Sequence, residues 1–174
     1  MQKYIKAGML TVVLVLPALV ILFLHGFAEN HFQLPYLVPL TDSSGRVAIN
    51  GKDTVFYQVP MADNSKIRVI SFWNDNNSIQ LLQQYSRLEK LASKDVFIEK
   101  VTGNEVEKVA TQKYRMVPLK KAKSAETIPY TEQFILVDKQ GYIRGFYDGT
   151  DPEEVDRLMA EVKILLDIYK KEEN

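Results

Sequence analysis

The run Ile67-Arg68-Val69-Ile70-Ser71-Phe72-Trp73 constrains this chain more than any other segment. Rich in β-branched and aromatic side chains, it reads as a core strand. It passes straight into Asn74-Asp75-Asn76-Asn77-Ser78, residue types that form turns and cap helices. An amphipathic helix then starts near Ile79. No cysteine stands in that turn, and the whole chain contains none. Disulfides, thiolate metal sites and thiol nucleophiles are therefore excluded, although the lack of cysteine says nothing about redox compartment. The only two histidines, His25 and His31, lie beside the hydrophobic N-terminus, so a His-rich metal site in the main domain is excluded as well.

Lys plus Arg and Asp plus Glu are each 22, a formal net charge of zero. Binding to nucleic acid needs a clustered basic surface, and the balance argues against it. The 174 residues suit one domain and an appendage.

The appendage is N-terminal. Residues 7–24 are uncharged and dominated by Leu, Val, Ile and Ala. As a helix this run spans about 27 Å, close to the hydrocarbon thickness of a bilayer. Lys3 and Lys6 precede it, and no Lys or Arg follows until Arg46. The positive-inside rule then keeps the N-terminus in the cytoplasm and places the rest in the periplasm or otherwise outside the cytoplasmic membrane. Pro17 is tolerated in such a helix. A cleaved signal peptide is the competing reading, with small residues in Gly26-Phe27-Ala28. The apolar run is longer than a usual signal core, which favours an uncleaved anchor over residues 1–28. A lipoprotein signal would require a cysteine.

Residues 29–40 read as a linker, with Pro35, Pro39 and several aromatics. Phe27, Phe32 and Tyr36 suit either the membrane interface or packing on the domain. Residues 41–174 form that domain. A turn at 41–45 leads to two apolar runs flanking Asn50-Gly51-Lys52-Asp53, a hairpin signal. The helix from Ile79 to about Ala92 carries Ile79, Leu82, Tyr85, Leu88 and Leu91 or Ala92 on one stripe, capped by Ser78 or Asn77. A short strand follows at 96–101. Asn104 with Glu107 suggests a capping box for a helix to about Tyr114. Residues 116–127 look like a loop carrying Lys120, Lys121 and Lys123, a solvated surface or a contact for acidic lipid or a partner. Phe134-Ile135-Leu136-Val137-Asp138 and residues 142–147 make a second hairpin. The last helix starts at Pro152 with Asp151 as its cap, and its apolar face runs to Tyr169.

After Ile67 the order is β-α-β-α-β-β-α. It predicts an α/β fold with a mixed sheet flanked by helices, as in thioredoxin-like domains, preceded by a transmembrane helix. The segment from Phe134 through Asp138-Lys139-Gln140-Gly141-Tyr142-Ile143-Arg144-Gly145 to Leu158 resembles the Sco/SenC family. So do Phe23-Leu24-His25-Gly26-Phe27 after the anchor, and Asp53-Thr54-Val55. That resemblance implies a membrane-anchored, thioredoxin-like protein associated with copper delivery to cytochrome c oxidase. The family holds copper through a Cys-x-x-x-Cys turn and a distant His. Here the matching positions carry Asn76, Gln80 and Tyr130. The segment from Val59 to Lys66 is also shorter than the family pattern. Cu(I) prefers soft thiolates to hard amide oxygens, and thiol exchange needs a thiolate, so neither chemistry transfers. Met61, Met116 and Met159 are too dispersed for a thioether site and suit packing.

The expectation is a non-enzymatic accessory or partner-binding factor without a cofactor. Its partners would be the bilayer, and respiratory oxidase subunits or a ligand-bearing Sco relative. The candidate partner surface is Trp73, Asp75, Asn76, Asn77, Pro129 and Tyr130, although Trp73 suits a buried sheet end equally and the 75–78 turn suits plain capping. Pro129 stands where thioredoxin-like proteins often carry a cis-proline, and its isomer stays open. The alternative is an oxygen-donor metal or enzymatic site near Asp75, Tyr130 and Glu132. A surface domain with no specific partner is the blander option.

Overall fold

The computed structural model describes residues 13, 15–22, 34–61, 65–121 and 125–172. It divides into two compact units, residues 1–33 and 34–174.

In the first unit residues 15–22 are helical, and Val15, Leu16, Leu19, Val20, Ile21 and Leu22 are all exposed. Among the described residues no helix is long and apolar enough to cross a membrane. Residues 7–12, 14, 23 and 24 of the run expected as an anchor lie outside the described residues, as do His25, Phe27, Ala28, His31 and Phe32.

The second unit begins with an extended segment. Residues 34–40, read from sequence as the end of a linker, belong to the folded unit because their backbone is paired. Leu37 N–H donates to Ile143 O at 3.1 Å and Leu40 N–H to Val55 O at 2.8 Å. Tyr36 packs 4.5 Å from the Tyr142 ring and 5.1 Å from Phe56, the packing option of the two open from sequence. Strands β1 (Ile49–Asn50) and β2 (Asp53–Thr54) form the expected hairpin in short form. Gly51 supplies the turn's φ of +69°.

Strand β3 (Ile67–Trp73) has the bounds read from sequence. It is followed by α1 (Ile79–Glu89), β4 (Val96–Thr102), and α2 (Val106–Lys108), which continues as a π-helical turn at Val109–Lys113. Strands β5 (Leu119–Lys120) and β6 (Thr127–Ile128) form a small antiparallel arm where a loop was expected. A 3-10 turn at Tyr130–Glu132 leads into β7 (Gln133–Val137), β8 (Ile143–Asp148) and α3 (Pro152–Glu172).

The main sheet has the order β4-β3-β7-β8. Strand β4 runs parallel to β3, β7 antiparallel to β3, and β8 antiparallel to β7. This is the mixed α/β architecture expected, with helices on both faces. One face packs Ile67 and Val69 with Leu81, Leu88, Leu136 and Leu158, beneath α1 and α3. The other packs Ile70 and Phe72 with Val106, Ala110, Ile135 and Val137, beneath α2. Covering both faces explains why β3 is largely apolar, interrupted only by Arg68 and Ser71, rather than alternating.

Three local expectations need correction. The buried stripe of α1 is Leu81, Gln84 and Leu88, with Tyr85 beside it, whereas Ile79 and Leu82 are exposed. Gln84 tolerates burial because its Oε1 accepts from Arg87 at 2.6 Å. The helix also ends at Glu89 rather than near Ala92. No capping box forms at 104–107: Glu105 is the N-cap of α2 and makes no side-chain cap bond. At α3 the expected cap holds, with Asp151 Oδ1 accepting from Glu153 N–H at 2.9 Å.

Three buried phenols tie stability to alkaline pH. Burial pushes Tyr147 and Tyr114 well above their ordinary value, helped by carboxylates of Glu161 and Glu99 respectively. Burial, with Asp138 nearby, raises Tyr169 to about 12. In the unfolded chain tyrosine ionises near 10. Above that pH the unfolded state releases protons that the folded state retains, so stability is expected to fall as pH rises. The Tyr169 share ends near 12. Urea midpoints across a pH series measure this, and Tyr147→Phe is expected to flatten the decline. Equal slopes for both proteins would refute the assignment.

Candidate functional site

The turn after β3 is built from the side chains that sequence reading singled out. Asn74 Oδ1 accepts from Asn76 N–H at 2.9 Å, and Asn77 Oδ1 accepts from Asn74 N–H at 3.2 Å. Ser78 is the N-cap of α1, its Oγ accepting from Leu81 N–H at 3.2 Å. Asn74 Nδ2 reaches across to Thr131 Oγ1 at 3.4 Å, joining this turn to the segment after Pro129. Amides and a hydroxyl thus hold the turn.

Asp75, Asn76, Gln80 and Pro129 are exposed, and Asn77 and Tyr130 are half-buried. Tyr130 packs against the second core cluster. Among the described residues no peptide bond is cis, so Pro129 is trans.

Trp73 is only 6% exposed, which removes its ring from the candidate partner surface. Its Nε1 donates to Ser71 Oγ at 2.7 Å, and Tyr85 meets it edge-on at 4.9 Å. The Lys100 ammonium lies 3.7 Å from the ring centroid, a cation–π contact. The end of β3 is therefore a covered aromatic platform.

The exposed side of α1 carries a feature that sequence reading missed. From Asn76 to Ser86 no residue is charged, in a chain that is 25% charged. Ile79 is 71% exposed and Leu82 47%. Loss of charge around exposed large apolar side chains is the compositional mark of a protein-facing surface. Assigning Ile79 and Leu82 to the core hid it.

Beside the turn lies a cleft of about 310 Å³, lined by Trp73, Asn74 and Asp75 from the end of β3 and the turn, and by Lys100, Thr102, Gly103 and Asn104 from the end of β4 and the residues after it. A larger cleft of about 560 Å³ is lined by Lys94, Asp95, Lys139, Leu166, Asp167, Tyr169 and Lys170, and holds none of the positions singled out from sequence. The smaller cleft opens at the carboxyl ends of the parallel strands β3 and β4.

Among the described residues no group of three or more His, Asp or Glu is placed to hold a metal. Of the alternative set Asp75, Tyr130 and Glu132, Asp75 is exposed and Tyr130 is turned to the second core cluster.

No protein-family model matches the chain, and no curated protein matches it. Among solved structures it is similar to a SCO1/SenC family lipoprotein from Bacillus anthracis str. Ames. The match has 13% identity and a TM-score of 0.40, and covers 59% of this chain and 83% of that one. At that score the likeness is no evidence of function.

Proposed function

We propose that this chain is a membrane-anchored, thioredoxin-like accessory protein of the Sco/SenC kind, which works by contact with respiratory oxidase subunits and not by holding copper. The observation that carries this reading is the turn at 74–78, where amides and a hydroxyl occupy the place of a thiolate site and are used to cap and brace. Three other features support it. The Sco/SenC-like stretch of sequence coincides with β7, β8 and the start of α3. The sheet order and strand directions are those of a thioredoxin-like domain. The uncharged, partly apolar outer side of α1 supplies a contact surface next to the turn. The apolar run at residues 7–24 favours the anchor, which would concentrate the domain near membrane complexes.

Quantitative affinity capture of the full-length protein from detergent-solubilised membranes tests the proposal. Oxidase subunits are expected in the eluate. The double variant Asn76→Ala/Gln80→Ala is expected to capture them undiminished. Leu82→Glu, which forces a charge into the contact, is expected to reduce capture at least tenfold, about 1.4 kcal/mol. Absence of oxidase subunits, or loss of capture by the Asn76/Gln80 variant with an unchanged circular dichroism spectrum, would overturn it.

A further inference from the structure

Topology sets the position of the cleft at the ends of β3 and β4. The chain leaves β3 towards α1, which packs on one face of the sheet through Leu81 and Leu88. It leaves β4 towards α2 and its π-helical continuation, which pack on the opposite face through Val106 and Ala110 respectively. Two neighbouring parallel strands whose connections part to opposite faces leave a crevice outside their carboxyl ends, and open α/β sheets bind ligands there. The 310 Å³ cleft occupies that place, and its size is at the lower end for small-molecule sites.

The chemistry of its walls selects the ligand. Asp75 and Lys100 line the same cleft with opposite charges. Neither makes an ion pair or a side-chain hydrogen bond among the described residues; Lys100 is instead held over the Trp73 ring. An ammonium has three donors, and a ring face engages only part of that capacity. Around the charges stand the amides of Asn74 and Asn104 and the Thr102 hydroxyl. Gly103, at φ +108°, would place a Cβ in open space, so its backbone is uncovered. A molecule bearing one charge would satisfy one of these two side chains and be opposed by the other.

We propose that this cleft binds a small zwitterion of amino-acid type, its carboxylate towards Lys100 and its ammonium towards Asp75. Because Trp73 is the only tryptophan and lies beneath Lys100, its emission reports on the cleft.

The test titrates the full chain in detergent micelles with glycine and with γ-aminobutyrate, following Trp73 fluorescence and the backbone amide NMR shifts of Gly103 and Asn104. At least one of the two zwitterions is expected to saturate both signals at concentrations up to about 10 mM. Asp75→Asn and Lys100→Gln should each raise its midpoint at least tenfold, with the amide shifts serving where Lys100→Gln alters the starting emission. Sodium acetate and methylammonium chloride at matched ionic strength should produce no saturable change. Overturning results are no saturation by either zwitterion in either signal, unaltered midpoints in both variants, or an equal response to acetate alone.

Discussion

Arg144→Ala is expected to destabilise the domain by about 3–5 kcal/mol, the cost of leaving a buried charge without its partner. Asp138 is fully buried, and Arg144 Nε donates to its Oδ2 at 2.6 Å. Asp138 Oδ1 accepts from the N–H groups of Gln140 and Tyr142 at 2.9 and 2.8 Å, which builds the β7–β8 turn. The same guanidinium donates to Leu34 O and lies 3.9 Å from the Tyr36 ring centroid. One side chain therefore neutralises the buried carboxylate and pins the start of the folded unit. Arg144→Lys keeps the charge but cannot reach all three partners, so an intermediate loss is expected. Urea denaturation measures the stability. Hydrogen exchange at the Leu37 amide, bonded to Ile143 O, measures the pinning. A loss below about 1 kcal/mol, as for an exposed pair, would show that burial of this pair has been misjudged.

Gly145→Ala is the second large effect. A Cβ there would fall 2.0 Å from Tyr147 Oη and 2.2 Å from Cζ, because the Tyr147 ring folds back over the glycine. The ring is fully buried, and its hydroxyl donates to Glu161 Oε2 at 2.6 Å. Displacing it strains the core by about 1–3 kcal/mol. If the hydroxyl loses Glu161 while still buried, about 1–3 kcal/mol more is expected. Combining Gly145→Ala with Tyr147→Leu separates the causes. The double variant should lose clearly less than the sum of the singles, since the obstacle is gone. Strict additivity would show that the Tyr147 ring is not the obstacle.

How far the fold was legible depended on whether a signal was local. Strand β3 was readable to the residue because burial on both faces favours a dense run of β-branched and aromatic side chains, here interrupted only by Arg68 and Ser71. The last helix announced itself through Asp151-Pro152-Glu153, where cap, fixed φ and dipole agree. In α1 the period was right and the phase wrong. Ile79, Leu82 and Leu88 make as good a stripe as Leu81, Gln84 and Leu88, and only the Arg87 contact makes a buried glutamine acceptable. The β5–β6 arm has two-residue strands, too short for periodicity to register. The 74–78 turn was legible as capping chemistry. The cleft was not, because Asp75 and Lys100 come to line one cleft only once β4 pairs with β3. The bracing of Trp73 by Ser71 and Tyr85 likewise depends on tertiary packing.

The central claim is that the turn at 74–78 is a braced contact surface without a soft-metal site. A competition titration of the purified full-length protein against a cuprous-specific chelator tests it most directly. The account predicts that the chelator withdraws essentially all the Cu(I), leaving well under one equivalent on the protein and the same residue on Asn76→Ala/Gln80→Ala. One equivalent retained tightly by the wild-type chain, and lost from that double variant, would contradict it.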